Sequence, residues 1–165
     1  MKIYLDMDGV LTDFEKKYEE LFGVRPNEIQ ARTKHFWENW QAFVHGGHFV
    51  HLEKHKDADK LLNFVTSLRV PIEILSSSGG ETNHEYVTTQ KIAWLMNNRI
   101  PFKANIVPGG SKKAAFASPW NILIDDTDHV VEKYRSAGGT AILHYDIDVT
   151  IKELSRLHLE WQGGQ

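Results

Sequence analysis

The sequence predicts an α/β domain built on a parallel β-sheet, with a helical segment inserted after the first strand. Two observations carry this. From residue 57 onward, short apolar runs alternate with helix-length amphipathic segments, the pattern of a sheet whose strands are joined by crossover helices. Between the first apolar run and residue 57, roughly 14–56, the chain supplies helical pattern but no strand. The length of 165 residues suits one compact core with such an insertion.

The elements follow in order. "KIYL" (2–5) is a short apolar strand. "TDFEKKYEELFG" (12–23) is a helix in which Thr12 and Glu15 fit a capping box and Gly23 suits the end. Residues 24–56 are aromatic and histidine-rich, with periodicity that suits only short helices. "DADKLLNFVTSL" (57–68) is an amphipathic helix with Asp57 near its start, and "PIEILSSS" (71–78) is a strand running into small polar residues. "HEYVTTQKIAWLMNN" (84–98) is a helix with Val87, Ile92 and Leu95 on one side; Trp94 and Leu95 are assigned to packing. "ANIV" (104–107) is a strand, and "GGSKKAAFA" (109–117) a turn entering a short helix. "NILIDD" (121–126) is a strand and "TDHVVEKYRSAGG" (127–139) a helix closed by glycine. "TAILH" (140–144) and "DVTIKELSRL" (148–157) are the last strand and helix, and Gly163 and Gly164 mark a loose tail.

Composition narrows the function classes. The chain is 41% hydrophobic and 25% charged, ordinary for a globular protein, and its formal charge of −3 gives no footprint for nucleic acid or an anionic membrane. It contains no cysteine, which excludes disulfides, thiolate catalysis and Cys-ligated zinc. Asp6 and Asp8 interrupt any signal-peptide core, and no apolar run reaches membrane-spanning length, so a cytoplasmic location is expected. Nothing in the sequence speaks to oligomeric state.

Polar groups collect at strand ends. The first strand ends in Asp6-Met7-Asp8, the second in Ser76-Ser77-Ser78 and the fourth in Asp125-Asp126; Lys112-Lys113 lies between the third and fourth. In a parallel sheet these ends share one edge, where ligands bind. Clustered carboxylates repel one another and need a compensating cation. A hard cation such as Mg2+ takes one or two carboxylates plus phosphate oxygens, while serine hydroxyls and a lysine suit the remaining phosphate oxygens. Strand alternation places Asp6 and Asp8 on the same side.

These residues form a recognisable series. "YLDMDGVL" resembles the first motif of the haloacid dehalogenase (HAD) superfamily, "EILSSSG" the second, "GGSKKAAFA" the third and "ILIDD" the fourth, in the family's order over residues 3 to 126. "DMDGVLTDFE", with the later "HFW", "GGHFVHLE", "TTQKIAWL" and "ILIDDT", is similar to compact phage and bacterial members of the 5'(3')-deoxyribonucleotidase group. The resemblance implies a Rossmann-like core over 1–13 and 57–165, a small helical cap over 14–56, and a Mg2+-dependent phosphatase acting through an aspartyl-phosphate on nucleoside monophosphates. It implies Asp6 as nucleophile and Asp8 as general acid and base. It places Ser76, Ser77 and Lys113 on the phosphate, and Asp6, Asp8 (through its carbonyl), Asp125 and Asp126 at the metal.

Several assignments stay open. Lys112 is the reserve for Lys113, and the sequence does not say which of Asp125 and Asp126 binds metal directly. Phe14, Phe36, Trp37 and Phe49 are candidates either for a nucleobase pocket or for the core. Asp13 is read as a favourable charge in the first helical turn. His45, His48, His51 and His55 lack the H-E-x-x-H pattern and are read as a surface or cap cluster rather than a zinc site. Rival substrates are a sugar phosphate or a nucleic acid 3'-phosphate, and a rival class is a catalytically silent nucleotide- or protein-binding domain.

Overall fold

A computed structural model describes residues 1–29 and 33–164. Five strands, β1 (Lys2–Leu5), β2 (Ile72–Ser77), β3 (Lys103–Val107), β4 (Asn121–Asp125) and β5 (Thr140–Leu143), form a parallel sheet in the order β3-β2-β1-β4-β5. The α/β reading from alternating segments therefore holds. β1 is central, and its Leu5 is level with Ile74 on one side and Ile124 on the other. Asp6, just past β1, and Asp125, the last residue of β4, thus lie side by side.

Alternation along the strands divides the core. Ile3, Leu5, Ile74, Ile122 and Ile124 face a large cluster built with α3 (Ala58–Ser67), α4 (His84–Asn97) and α6 (Ile147–Gly163). Tyr4, Leu75, Leu123 and Ala141 face a smaller one under α5 (Asp128–Ser136), filled by Val130, Val131 and Tyr134. Both sheet faces are covered, as a parallel sheet requires.

Between β1 and α3 lie α1 (Phe14–Phe22), a 3-10 turn at Pro26–Glu28, α2 (Lys34–His45) and a second 3-10 turn at His48–His51. The segment leaves and returns at one place: Asp13 donates its backbone N–H to Glu53, and His55 donates its own to Leu11. Its aromatic residues pack on each other, with Phe14 on Phe43 and Tyr18 on Phe22 at 5.0 and 4.7 Å between ring centroids. Polar side chains of α4 fasten it down. Gln90 accepts from Phe49 N and donates to Val44 O, and Trp94 donates its indole N–H to Leu52 O.

Three local expectations are corrected. The N-cap of α1 is Asp13, whose carboxylate accepts from Lys16 N; Thr12 instead donates to Asp8 Oδ1, so there is no Thr12–Glu15 capping box. Ile92 is exposed, and the buried face of α4 is Val87, Gln90, Lys91, Trp94 and Leu95. The terminus is no loose tail up to Gly163: buried Leu154 and Leu157 anchor α6, Arg156 bridges Glu153 and Glu160 along it, and Gly164 N–H caps its last carbonyls.

Candidate active site

The chain turns sharply after β1. The Met7 carbonyl accepts from the N–H groups of Val10, Leu11 and Thr12, which wraps 7–12 into a tight loop. Gly9 has φ +79°, and a Cβ there would collide with the Asp126 carboxylate. Glycine at this position lets the first and fourth strand ends close on each other.

A cavity of about 380 Å³ opens at the carboxyl edge of the sheet, lined by Asp6, Asp8, Ser76, Ser77, Lys113, Asp125 and Asp126. Seven polar residues drawn from four separate motifs thus meet in one place, while Ser78 and the exposed Lys112 do not line it. Oxygens of Asp6, Asp125 and Asp126 lie within 4.8 Å of one another. Among the described residues this is the one group of three or more His, Asp or Glu side chains so arranged; the histidines of 45–55 do not converge.

Lys113, 2% exposed, sits against this cluster, 2.9 Å from Asp6 Oδ1 and 2.6 Å from Asp125 Oδ2. Lys112 points its residue to solvent. Burial alone would lower the Lys113 ammonium, but the charges of Asp6 and Asp125 outweigh it and raise its pKa. One ammonium cannot offset three carboxylates. Burial and the Asp6 charge push Asp125 up to about 6 in spite of Lys113. Asp126 is pushed up to about 7, by desolvation of its inward-turned carboxyl and by the charges of Asp6 and Asp125. A divalent cation among these oxygens would relieve the residual repulsion, so the donor set fits a hard metal ion.

The two acids of the fourth motif differ. Asp125 has both oxygens engaged, Oδ2 by Lys113 and Oδ1 by Thr127 N–H at 3.0 Å. Asp126 is bonded through Oδ1 alone, by the Thr127 hydroxyl. Asp8 is held at Oδ1 by Thr12 and at Oδ2 by Lys91. Ser77 Oγ accepts from Gly79 N–H.

Of the aromatic candidates, the structure brings only Phe14 to the cavity, together with Trp40. Phe49 is 1% exposed and stacked under Phe14, inside the core. Trp37 is 44% exposed and lines a neighbouring cleft with Trp40, Gln41 and Asn83, and Phe36 packs edge-on against Trp37. Residues beyond the sequence candidates include Trp40, which lines the cavity, and Lys91, which bonds Asp8. Lys91 did leave a signal: it is a lysine on the apolar stripe Val87, Lys91, Trp94, Leu95.

The backbone is similar to that of a hydrolase from Streptococcus pneumoniae TIGR4, at 14% identity over 93% of this chain and 97% of that chain, with a TM-score of 0.55. It is likewise similar to a HAD family hydrolase from Deinococcus radiodurans R1, solved with bound phosphate and sodium, at 14% identity over 99% and 93% of the two chains, with a TM-score of 0.51. The fold is HAD-like. No curated protein matches the sequence. No helix among the described residues is long and apolar enough to cross a membrane. The model of the family described as "5' nucleotidase, deoxy (Pyrimidine), cytosolic type C protein" matches residues 1–165, and the chain with its convergent acidic site belongs to that family of 5'-nucleotidase hydrolases.

Proposed function

We propose that the protein is a cytoplasmic, Mg2+-dependent phosphomonoesterase that dephosphorylates (deoxy)nucleoside monophosphates through an aspartyl-phosphate. The observation that carries this reading is the position of Asp6, lining the cavity beside Lys113 and the two acids at the end of β4. The Asp6 carboxylate attacks phosphorus, forming an O–P bond as the ester P–O bond breaks. Asp8 gives its proton to the leaving oxygen, then takes one from the water that cleaves the Asp6–phosphorus bond. Lys113, the Ser76 hydroxyl and Ser77 receive the phosphate oxygens. Asp6, Asp126 and the Asp8 carbonyl, with Asp125 beside them, would hold Mg2+, whose charge offsets that of the phosphate.

Residues 14–56 act as a cap in this reading, since both ends of the segment meet beside Asp8. Phe14 and Trp40 then offer ring faces to a nucleobase. Trp40→Ala is expected to raise KM for a nucleotide roughly tenfold with a smaller effect on kcat, whereas Phe36→Ala leaves both near wild type. Steady-state kinetics on one deoxynucleotide checks this, and equal KM values for the two variants would remove Trp40 from the pocket.

The function itself is tested by Mg2+-dependent phosphate release from deoxynucleoside 5'- and 3'-monophosphates, ribonucleotides and sugar phosphates. Highest kcat/KM on nucleotides is expected; preference for sugar phosphates would replace the substrate assignment, and release from none would end the enzymatic reading.

The raised acids predict a stability signature. Asp125 and Asp126 hold protons in the fold up to about 6 and about 7, against 3.8 for a free aspartate. The fold thus binds more protons than the unfolded chain between about pH 4 and 7, so stability falls as pH rises through that window. In chelator-treated protein, Tm should decline from pH 5 to pH 8. Added Mg2+ should raise Tm by roughly 5 °C at pH 8 and far less at pH 5. Equal increments at both pH values would contradict a metal held by these acids.

A further inference from the structure

We infer that Lys91 is a positioning residue that aims the Asp8 carboxyl for proton transfer, an inference that rests on the phosphatase reading above. Lys91 lies in the middle of α4, is 1% exposed, and belongs to none of the four motifs. A lysine buried this deeply is costly unless every donor is used. Here all three are: Nζ donates to Asp8 Oδ2 at 2.7 Å, to Ser76 Oγ at 2.8 Å and to the Ser77 carbonyl at 2.7 Å. Its charge also lies 5.2 Å from the Phe49 ring centroid.

Asp8 needs such a partner. It stands beyond the end of β1, on a loop rather than a strand, and its side chain is partly open to solvent. Thr12 holds one carboxyl oxygen from within the same loop. Lys91 holds the other from a separate helix, which fixes the plane of the carboxyl against the sheet. The Ser77 carbonyl anchors the ammonium to β2, so the distance between the proton donor and the phosphate side of the cavity is set by one rigid cation. Lys113, on the opposite side, touches Asp6 and Asp125. The two buried lysines therefore divide the labour, one serving the nucleophile and the other the proton donor.

Leaving-group dependence separates this role from a structural one. The measurement is kcat/KM, which reports steps up to phosphoryl transfer, on a deoxynucleoside monophosphate and on p-nitrophenyl phosphate. The nucleoside leaves as an alkoxide that must be protonated; p-nitrophenolate leaves as a stable anion and needs no proton. Lys91→Met is expected to lose about 10²-fold on the nucleotide and no more than a few-fold on the aryl ester. In an Asp8→Asn background, the same substitution is expected to cost little more on either. Equal losses on both esters would assign Lys91 to holding Ser76 or the fold, and unchanged rates would give it no part; either overturns the inference. If the Met variant melts below the assay temperature, Lys91→Arg, which keeps the charge but displaces the donor, carries the same comparison. A wild-type protein that hydrolyses neither ester overturns the phosphatase reading itself, and the role of Lys91 with it.

Discussion

Asp6→Asn is expected to lower phosphate release from a nucleotide by about 10⁴-fold or more, because an amide cannot form the acyl-phosphate bond. The same substitution should leave the metal-free protein at least as stable as the wild type. Asp6 is crowded by Asp125 and Asp126, and both are pushed up in pKa partly by its charge. Removing that charge relieves the repulsion and leaves Lys113 with Asp125 as its partner. If Asp6 is the nucleophile proposed above, holding it at a cost to the fold is the usual compromise between activity and stability. Kinetics and a melting curve in chelator check the two halves. A variant that keeps more than about one-hundredth of the activity would move the nucleophile elsewhere, and a large fall in Tm would mean that the Asp6–Lys113 pair matters more than the repulsion.

Lys113→Met is expected to fail on both counts. It strands Asp6 and Asp125, both buried, without their cation. Breaking a buried pair from one side costs about 3–5 kcal/mol, and in a chain of this size that is a fall in Tm of roughly 10 °C. Loss of the charge proposed to meet the phosphate should cost a further 10²- to 10³-fold in kcat/KM. The sign with pH is fixed by Asp125, which takes up a proton as pH falls through about 6. The stability deficit of the variant should therefore shrink at pH 5 relative to pH 8. A deficit independent of pH would show that Lys113 stabilises by packing rather than by charge.

These expectations show how unevenly the site is written in the sequence. Carboxylates and serines at strand ends are legible because an apolar run that stops at Asp or Ser has a built-in direction, and parallel pairing gathers all such ends on one edge. Asp6, Ser76 and Asp125 needed only that logic. Lys113 was legible by its place before β4, but its choice over Lys112 waited on burial, which adjacent residues of identical type do not encode. Lys91 is harder to read because "TTQKIAWL" has no turn, strand end or glycine to mark it, only a lysine on an apolar stripe. Of the aromatic candidates only Phe14 lines the cavity, for a related reason. Trp37 and Trp40 lie three apart on α2, and only docking of the helix decides which of them faces the carboxylates. The α1 cap shifted by one residue because Thr12, a good cap by type, is engaged by Asp8.

The strand order carries a consequence for synthesis of the chain. Asp6 follows the strand at the centre of the sheet, yet the hydrogen-bonded neighbour of that strand, β4, comes much later in the chain, with Lys2 to Leu5 pairing to Asn121 to Ile124. Asp6 N–H closes on Ile124 O only when that pairing is complete. Contacts between such distant segments form late because the intervening loop must first be closed. A partly synthesised chain thus has Asp6 and Asp8 but neither Lys113 nor the acids at the end of β4 beside them. The acidic cluster is in this sense a report on long-range pairing: it exists only in a chain whose β1 and β4 have met.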